Sequence, residues 1–178
     1  MLVFVVVGMP ASGKNIAREY AAERGLPYFS TGDIVREEAR RRGLAPDAGV
    51  MARLSDELRG PDGMGVTRLA LEAALSKGAP AVFLEGMRSW PEIQLVASRA
   101  RCVVVAFVAP REERRRRITL RARADDSPAE FDARDAREIA YGAAVPVALA
   151  DEYVLNTHSI DDAKASLEEI VSRRMGGA

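Results

Sequence analysis

The chain has little cysteine, histidine or lysine, and the first two shortages exclude something. Its one cysteine, Cys102, rules out an internal disulfide and suits a reducing compartment. Cys102 lies in an apolar, strand-like run and is expected to be inert core. The one histidine, His158, has no nucleophile or metal-ligand pattern around it and reads as a surface-loop residue. Lysine occurs only at Lys14, Lys77 and Lys164, so the basic charge is nearly all arginine. An excess of one sign is missing too. With 26 basic and 26 acidic residues the formal net charge is zero, so no global field recruits nucleic acid or a membrane surface. No apolar run approaches membrane-spanning length. The apolar N-terminus is short and lacks a basic leader. The expectation is a soluble cytoplasmic protein. The 178 residues suffice for one domain, 1–178, with a full core. Repeats, low-complexity segments and linkers are absent from the pattern.

What is present begins at residue 2. Leu2-Val3-Phe4-Val5-Val6-Val7 is six apolar residues in a row, rich in β-branching. Such a run reads as a strand buried on both faces, as in parallel sheets covered by helices. It stops at Gly8-Met9-Pro10-Ala11-Ser12-Gly13-Lys14-Asn15, which fits the phosphate-binding loop G-x-x-x-x-G-K. Gly8 lets the chain leave the strand sharply, and Gly13 lets the backbone approach an anion. The loop N–H groups then form a concave nest at a helix start, where the dipole also favours negative charge. Lys14 supplies a point charge for the terminal phosphates. The motif ends in Ser or Thr where its hydroxyl holds Mg²⁺; here that position is Asn15. A helical pattern follows at once, which is the context the motif requires.

Strands and helices then alternate. Helices are expected over about 14–24, 34–40, 48–58, 66–76, 91–100, 111–123, 131–141 and 161–174. Strands are expected over 26–29, 81–84, 102–108 and 152–155. This alternation predicts an α/β fold with a mostly parallel sheet. Ligands in such sheets sit beyond the carboxyl ends of the strands. The P-loop, Asp33, Glu85 and Arg88 all fall there, so separate motifs converge on one rim.

Phe29-Ser30-Thr31-Gly32-Asp33-Ile34-Val35-Arg36 resembles the S-T-G-D-x-x-R segment of adenylate kinases and related nucleoside monophosphate kinases. The resemblance implies that Thr31, Gly32 and Arg36, with Asp33 beside them, hold the acceptor nucleotide. A hydroxyl, an open backbone and a guanidinium fork at a helix start suit that task. Leu84-Glu85-Gly86-Met87-Arg88 is similar to the family's D-G-x-P-R segment. It implies that Arg88, next to Gly86, grips the acceptor phosphate. Glu85 would orient Mg²⁺ and is one methylene longer than the usual Asp. The family's base-reading Gln is replaced by Glu92, with Gln94 nearby. Trp90 reads as packing.

Residues 114–126 resemble the family's lid. Arg117 and Arg121 fit R-x-x-x-R, Arg123 with Asp125 and Asp126 fits R-x-D-D, and Arg134 follows on the next helix. Arg114 to Arg116 read as solvated. The long lid insertion is absent, which implies a short lid over 112–134 and an acceptor-binding arm over 31–62. Arginines that arrive on closure stabilise charge on the phosphoryl oxygens. Residues 151–157 resemble the last strand and the loop against the donor base, which makes Asn156 and Thr157 candidates for that contact.

The resemblance runs from Leu2 to about Val171. It lies near a largely archaeal branch described as adenylate-kinase-related, with dephospho-coenzyme A kinase as another relative. It implies a three-layer P-loop NTPase fold with a five-stranded parallel sheet in the order 2-3-1-4-5 and helices on both faces. It also implies a phosphotransferase using ATP and Mg²⁺, with small-molecule nucleotides as its substrates and AMP as the first acceptor to consider. The P-loop residues, Gly8 through Asn15, would bind the donor, and Asn15 with Glu85 the metal. Three alternatives remain: a nucleotide-binding sensor with little transfer activity, a hydroxyl kinase with Asp33 as base, and an RNA-associated ATPase resting on the arginine run.

Overall fold

A computed structural model describes residues 1–121 and 128–177. Five parallel strands form one sheet in the order β2-β3-β1-β4-β5. Both the fold class and the strand order expected from the sequence are therefore observed. The strands are β1 (Leu2–Val7), β2 (Tyr28–Ser30), β3 (Ala81–Glu85), β4 (Arg101–Val108) and β5 (Glu152–Leu155). β1 lies at the centre, with Phe4 registered against Phe83 of β3 and Val103 of β4.

The continuous apolar run of β1 is explained by burial on two sides. Leu2, Phe4 and Val6 face a core with Ile16 and Tyr20 of α1 (Asn15–Glu23) and Leu167 and Val171 of α9 (Ile160–Gly176). Val3, Val5 and Val7 face the opposite core, with Leu71 of α4 (Gly65–Leu75) and Ile93 of α5 (Trp90–Ala97). Every residue of β1 is buried. Such a strand has no solvent face and so shows no alternation.

A third, smaller core sits off the sheet. It joins Val35 and Ala39 of α2 (Thr31–Arg41), Leu54 of α3 (Ala48–Arg59) and Val66 of α4. The remaining helices are α6 (Arg111–Arg121), α7 (Pro128–Ala140) and the short α8 (Ala144–Ala148). No helix is long and apolar enough to cross a membrane among the described residues.

Several boundaries differ from the sequence reading for local reasons. α2 begins three residues early, at Thr31, because the Ser30 hydroxyl accepts from the Asp33 N–H at 3.0 Å and caps it. β2 shifts to end on Ser30, in register with Glu85. Helix α8 was not expected; it is five residues around Pro146, too short to show a period. Cys102 is only partly buried, packed at the edge of the second core.

Candidate active site

The P-loop joins β1 to α1, and its carbonyls are held from outside. Asn156 Nδ2 donates to the Ser12 carbonyl at 2.9 Å, and Arg114 Nη1 donates to that of Pro10 at 3.0 Å. Arg117 Nη1 reaches the Ala11 carbonyl at 3.5 Å, and its Nη2 donates to the Asn156 carbonyl at 2.7 Å. In a trans peptide the carbonyl and the following N–H point opposite ways. Anchoring the Pro10 and Ser12 carbonyls therefore turns the Ala11 and Gly13 N–H groups toward the concave side. Ala11 holds a positive φ of 60°, a conformation that favours glycine. Gly13 has no alternative: at φ 103°, an added Cβ would lie 2.0 Å from Asn156 Nδ2. The Ser12 hydroxyl is buried without a hydrogen-bond partner among the described residues.

Lys14 bends back over the loop. Its Nζ donates to the Gly8 carbonyl at 2.7 Å and the Met9 carbonyl at 3.3 Å. Burial pushes the ammonium below its usual value, while the nearby Glu85 and Glu138 carboxylates favour the charged form. Three clefts open along this rim. The first, about 430 Å³, is lined by the P-loop, Asn15, Glu85, Arg88, Arg117, Arg134 and Glu138. The second, about 540 Å³, runs between the starts of α1 and α2 past Asn15, Arg18, Thr31, Gly32 and Arg36. The third, about 390 Å³, lies against α3 and includes Met51, Ser55, Asp56, Arg59, Glu92 and Tyr141. Gly86 and Arg88 line all three, which makes them the junction.

Gly86 belongs at that junction for a steric reason. Its φ is 107°, and a Cβ there would meet Thr31 Oγ1 at 2.0 Å. The Thr31 hydroxyl donates to the Gly86 carbonyl at 3.5 Å, which ties the start of α2 to the end of β3.

Both carboxylate oxygens of Asp33 are engaged. It accepts from Arg18 and Arg36, each at 2.5 Å, and from the Ser30 hydroxyl at 2.7 Å. Burial works against its ionisation, yet the hydrogen bonds from Arg18, Arg36 and Ser30 outweigh it and hold the carboxyl well below the usual range. Asp33 thus orients two guanidinium groups toward the second cleft and is a poor proton acceptor. Arg18, which also lies over the Tyr28 ring at 4.6 Å, carries no motif in the sequence.

Glu92 lines the third cleft, but both its oxygens are taken. Oε2 accepts from the backbone N–H of Arg88 at 2.9 Å and of Ser89 at 3.0 Å, and from the Ser89 hydroxyl at 2.9 Å. Oε1 accepts from Thr67 Oγ1 at 2.6 Å. Here Glu92 is half of a capping box that opens α5. It also fixes the backbone at Arg88.

The arginine run on α6 divides. Arg114, expected to be solvated, is buried and forms a two-pronged pair with Asp135 of α7 at 2.6 and 3.0 Å. Arg115 and Arg116 stay at the surface, near Asp132 and on Glu113. Arg117 faces the P-loop, as described. Arg121 ends α6, and Arg134 lines the first cleft. Arg123, Asp125 and Asp126 lie outside the described residues. Asn156 braces the loop, while Thr157 follows it on an exposed bend. The sequence reading missed Arg18, Glu138 and Tyr141. Only the packing of α1, of α7 and of the turn after α7 brings them to the rim.

Among the described residues no three His, Cys, Asp or Glu side chains cluster as a metal cage would need. The donor set at the rim is still of the right kind. Asn15 and Glu85 line the same cleft and offer hard oxygens, as Mg²⁺ prefers when phosphates and water complete its six positions.

A family model described as an AAA domain matches residues 7–132. The UPF0200 protein of Hyperthermus butylicus is 36% identical over 179 residues, covering 98% of this chain and 96% of the relative. That of Thermococcus sibiricus is 35% identical, covering 97% and 95%. Among solved structures, TT1252 from Thermus thermophilus superposes with a TM-score of 0.70 at 21% identity, covering 97% of each chain. Shikimate kinase from Aquifex aeolicus does so with a TM-score of 0.55 at 15% identity over the whole of both chains. The sheet order, the P-loop after β1 and these likenesses make the fold that of the P-loop kinases. By model match and by identity along its whole length, this chain belongs to the AAA-domain family and to the UPF0200 proteins.

Proposed function

We propose that the chain is an ATP-dependent phosphotransferase that moves the γ-phosphoryl group to the phosphate of a nucleoside monophosphate, AMP being the first candidate. The carrying observation is that Gly86 and Arg88 line the P-loop cleft and both clefts beyond it. A donor phosphate on the loop and an acceptor phosphate on Arg88 would share one wall, as in-line transfer requires.

In this reading the anchored loop, Gly8 to Asn15, and Lys14 hold the donor phosphates. Thr31, Gly32, Arg36 and Arg88 hold the acceptor, with residues 31–62 as its arm. Arg117 and Arg134, which line the first cleft, with Arg121 and Arg123 of the lid expected over 112–134, would supply positive charge to the phosphates. Asn15 and Glu85 would hold Mg²⁺, which neutralises phosphate charge when bound. Asn156 and Thr157 lie on the donor-base side.

The state of Asp33 favours a phosphate acceptor over a hydroxyl. A hydroxyl acceptor needs a general base, and a carboxylate held ionised by two arginines is a weak one. An anionic phosphate needs none.

Calorimetry tests the acceptor site. AMP should bind without ATP, and Arg88→Ala should weaken it by about 1.5–3 kcal/mol, the range for a hydrogen bond to a charged group. Equal affinity in the variant would remove Arg88 from the site.

A further inference from the structure

A carboxylate inside a phosphate cleft calls for an explanation. Glu138, on the last full turn of α7, lines the first cleft alongside Lys14 and Arg88. Its side chain is 18% exposed and forms an ion pair with Arg88 Nε at 3.3 Å. Phosphate oxygens brought to the same cleft would be repelled by it. One turn on, Tyr141 places its ring against the same guanidinium, 5.5 Å from centroid to Cζ. The ring also meets Arg59, at the end of α3, at 5.7 Å. Arg88 thus has a carboxylate at Nε, from α7, and an aromatic ring near by, from the turn that follows α7. Among the described residues its guanidinium makes no other ion pair or hydrogen bond. The outer pair of nitrogens, the fork that matches a phosphate, is left open at the junction of the clefts.

We infer that Glu138 and Tyr141 are positioning residues that set Arg88 for the acceptor phosphate and couple α7 to the acceptor site. This rests on the assignment of Arg88 to an acceptor phosphate. A guanidinium at the end of a long side chain has many rotamers, and holding one of them lowers the entropy lost on binding. The charge of Glu138 opposes phosphate in the cleft, but at Nε it sits on the inner edge, away from the fork. Tyr141 extends the arrangement to Arg59, so that the far end of the acceptor arm and the end of α7 meet over one ring.

The sign of one measurement separates the possibilities. If Glu138 merely repels phosphate or stands in for it on Arg88, Glu138→Gln should tighten nucleoside monophosphate binding. A positioning role predicts the reverse: acceptor affinity falls about tenfold, within the coupling measured between residues in contact, while ATP affinity measured alone falls much less. In an Arg88→Ala background, Glu138→Gln should then have no further effect on the acceptor, a result a general loss of structure would not give. Tighter or unchanged acceptor binding in Glu138→Gln, with the parent binding normally, overturns this inference and leaves the functional reading standing. An additive effect in the Arg88→Ala background also overturns it. A parent that binds none of AMP, GMP, CMP or UMP overturns the functional reading and this inference together.

Discussion

The Arg114–Asp135 pair permits a prediction in which stability and binding come apart. Both side chains are buried, at 7% and 6% exposure, and they meet through two contacts of 2.6 and 3.0 Å. Removing one partner of such a pair strands the other charge, at about 3–5 kcal/mol. Arg111 Nε, 3.5 Å from Asp135, would remain as partial compensation. Arg114→Met should therefore cost about 3 kcal/mol, near the low end of that range. For a chain of this size that is a Tm lower by roughly 6–12 °C. Replacing both partners, Arg114→Met with Asp135→Leu, should recover most of the loss, because an apolar pair needs no compensation. The double variant still lacks the donor to the Pro10 carbonyl. With that carbonyl released, the Ala11 N–H is no longer turned to the nest, and ATP affinity should fall by about 0.5–1.5 kcal/mol, the worth of one hydrogen bond. Thermal unfolding by circular dichroism reads the first effect and calorimetry with ATP the second. An unchanged Tm in Arg114→Met, or parental ATP affinity in the double variant, would refute the reasoning.

Gly13→Ala should abolish ATP binding while the chain still folds, because the new Cβ collides with the Asn156 amide that braces the loop; retained affinity by calorimetry would show that the brace can yield. Glu92→Ala should cost about 1–3 kcal/mol, the sum of a lost cap and stranded donors. It should leave the preference among AMP, GMP and CMP unchanged, and a changed base preference without a stability loss would make Glu92 a reader after all. Burial, with Asp151 near by, pushes the Cys102 thiol up to about 12. At pH 8 the folded chain should therefore resist iodoacetamide and the urea-unfolded chain should not; equal rates would contradict the burial.

The parts legible in the sequence were local. The P-loop shows itself because its glycine spacing and the flanking strand and helix lie within one short stretch. The apolar run of β1 announces a central strand, and the order of the sheet followed from the family resemblance. The capping box Ser89–Glu92 is legible too, as S-x-x-E, at the same position where the family resemblance implies a base-reading residue. What could not be read depends on partners far along the chain. Four arginines in a row, 114–117, look alike, and only Asp135 on α7 decides that Arg114 is buried. Arg18 and Glu138 carry no spacing signal. They become site residues because α1 and α7 pack where β3 ends. Helix α8, with a proline among five residues, has no period to detect.

The most direct test of the central claim is phosphoryl transfer itself. ATP and GTP would each be incubated with Mg²⁺ and one of AMP, GMP, CMP, UMP or dephospho-coenzyme A, and the products followed by chromatography. The account predicts metal-dependent transfer to a nucleoside monophosphate, with a nucleoside diphosphate formed from both partners when ATP meets AMP, and none to the hydroxyl of dephospho-coenzyme A. No transfer to any acceptor by the parent, with transfer gained in Asn15→Ser, would contradict it and make the chain a nucleotide sensor.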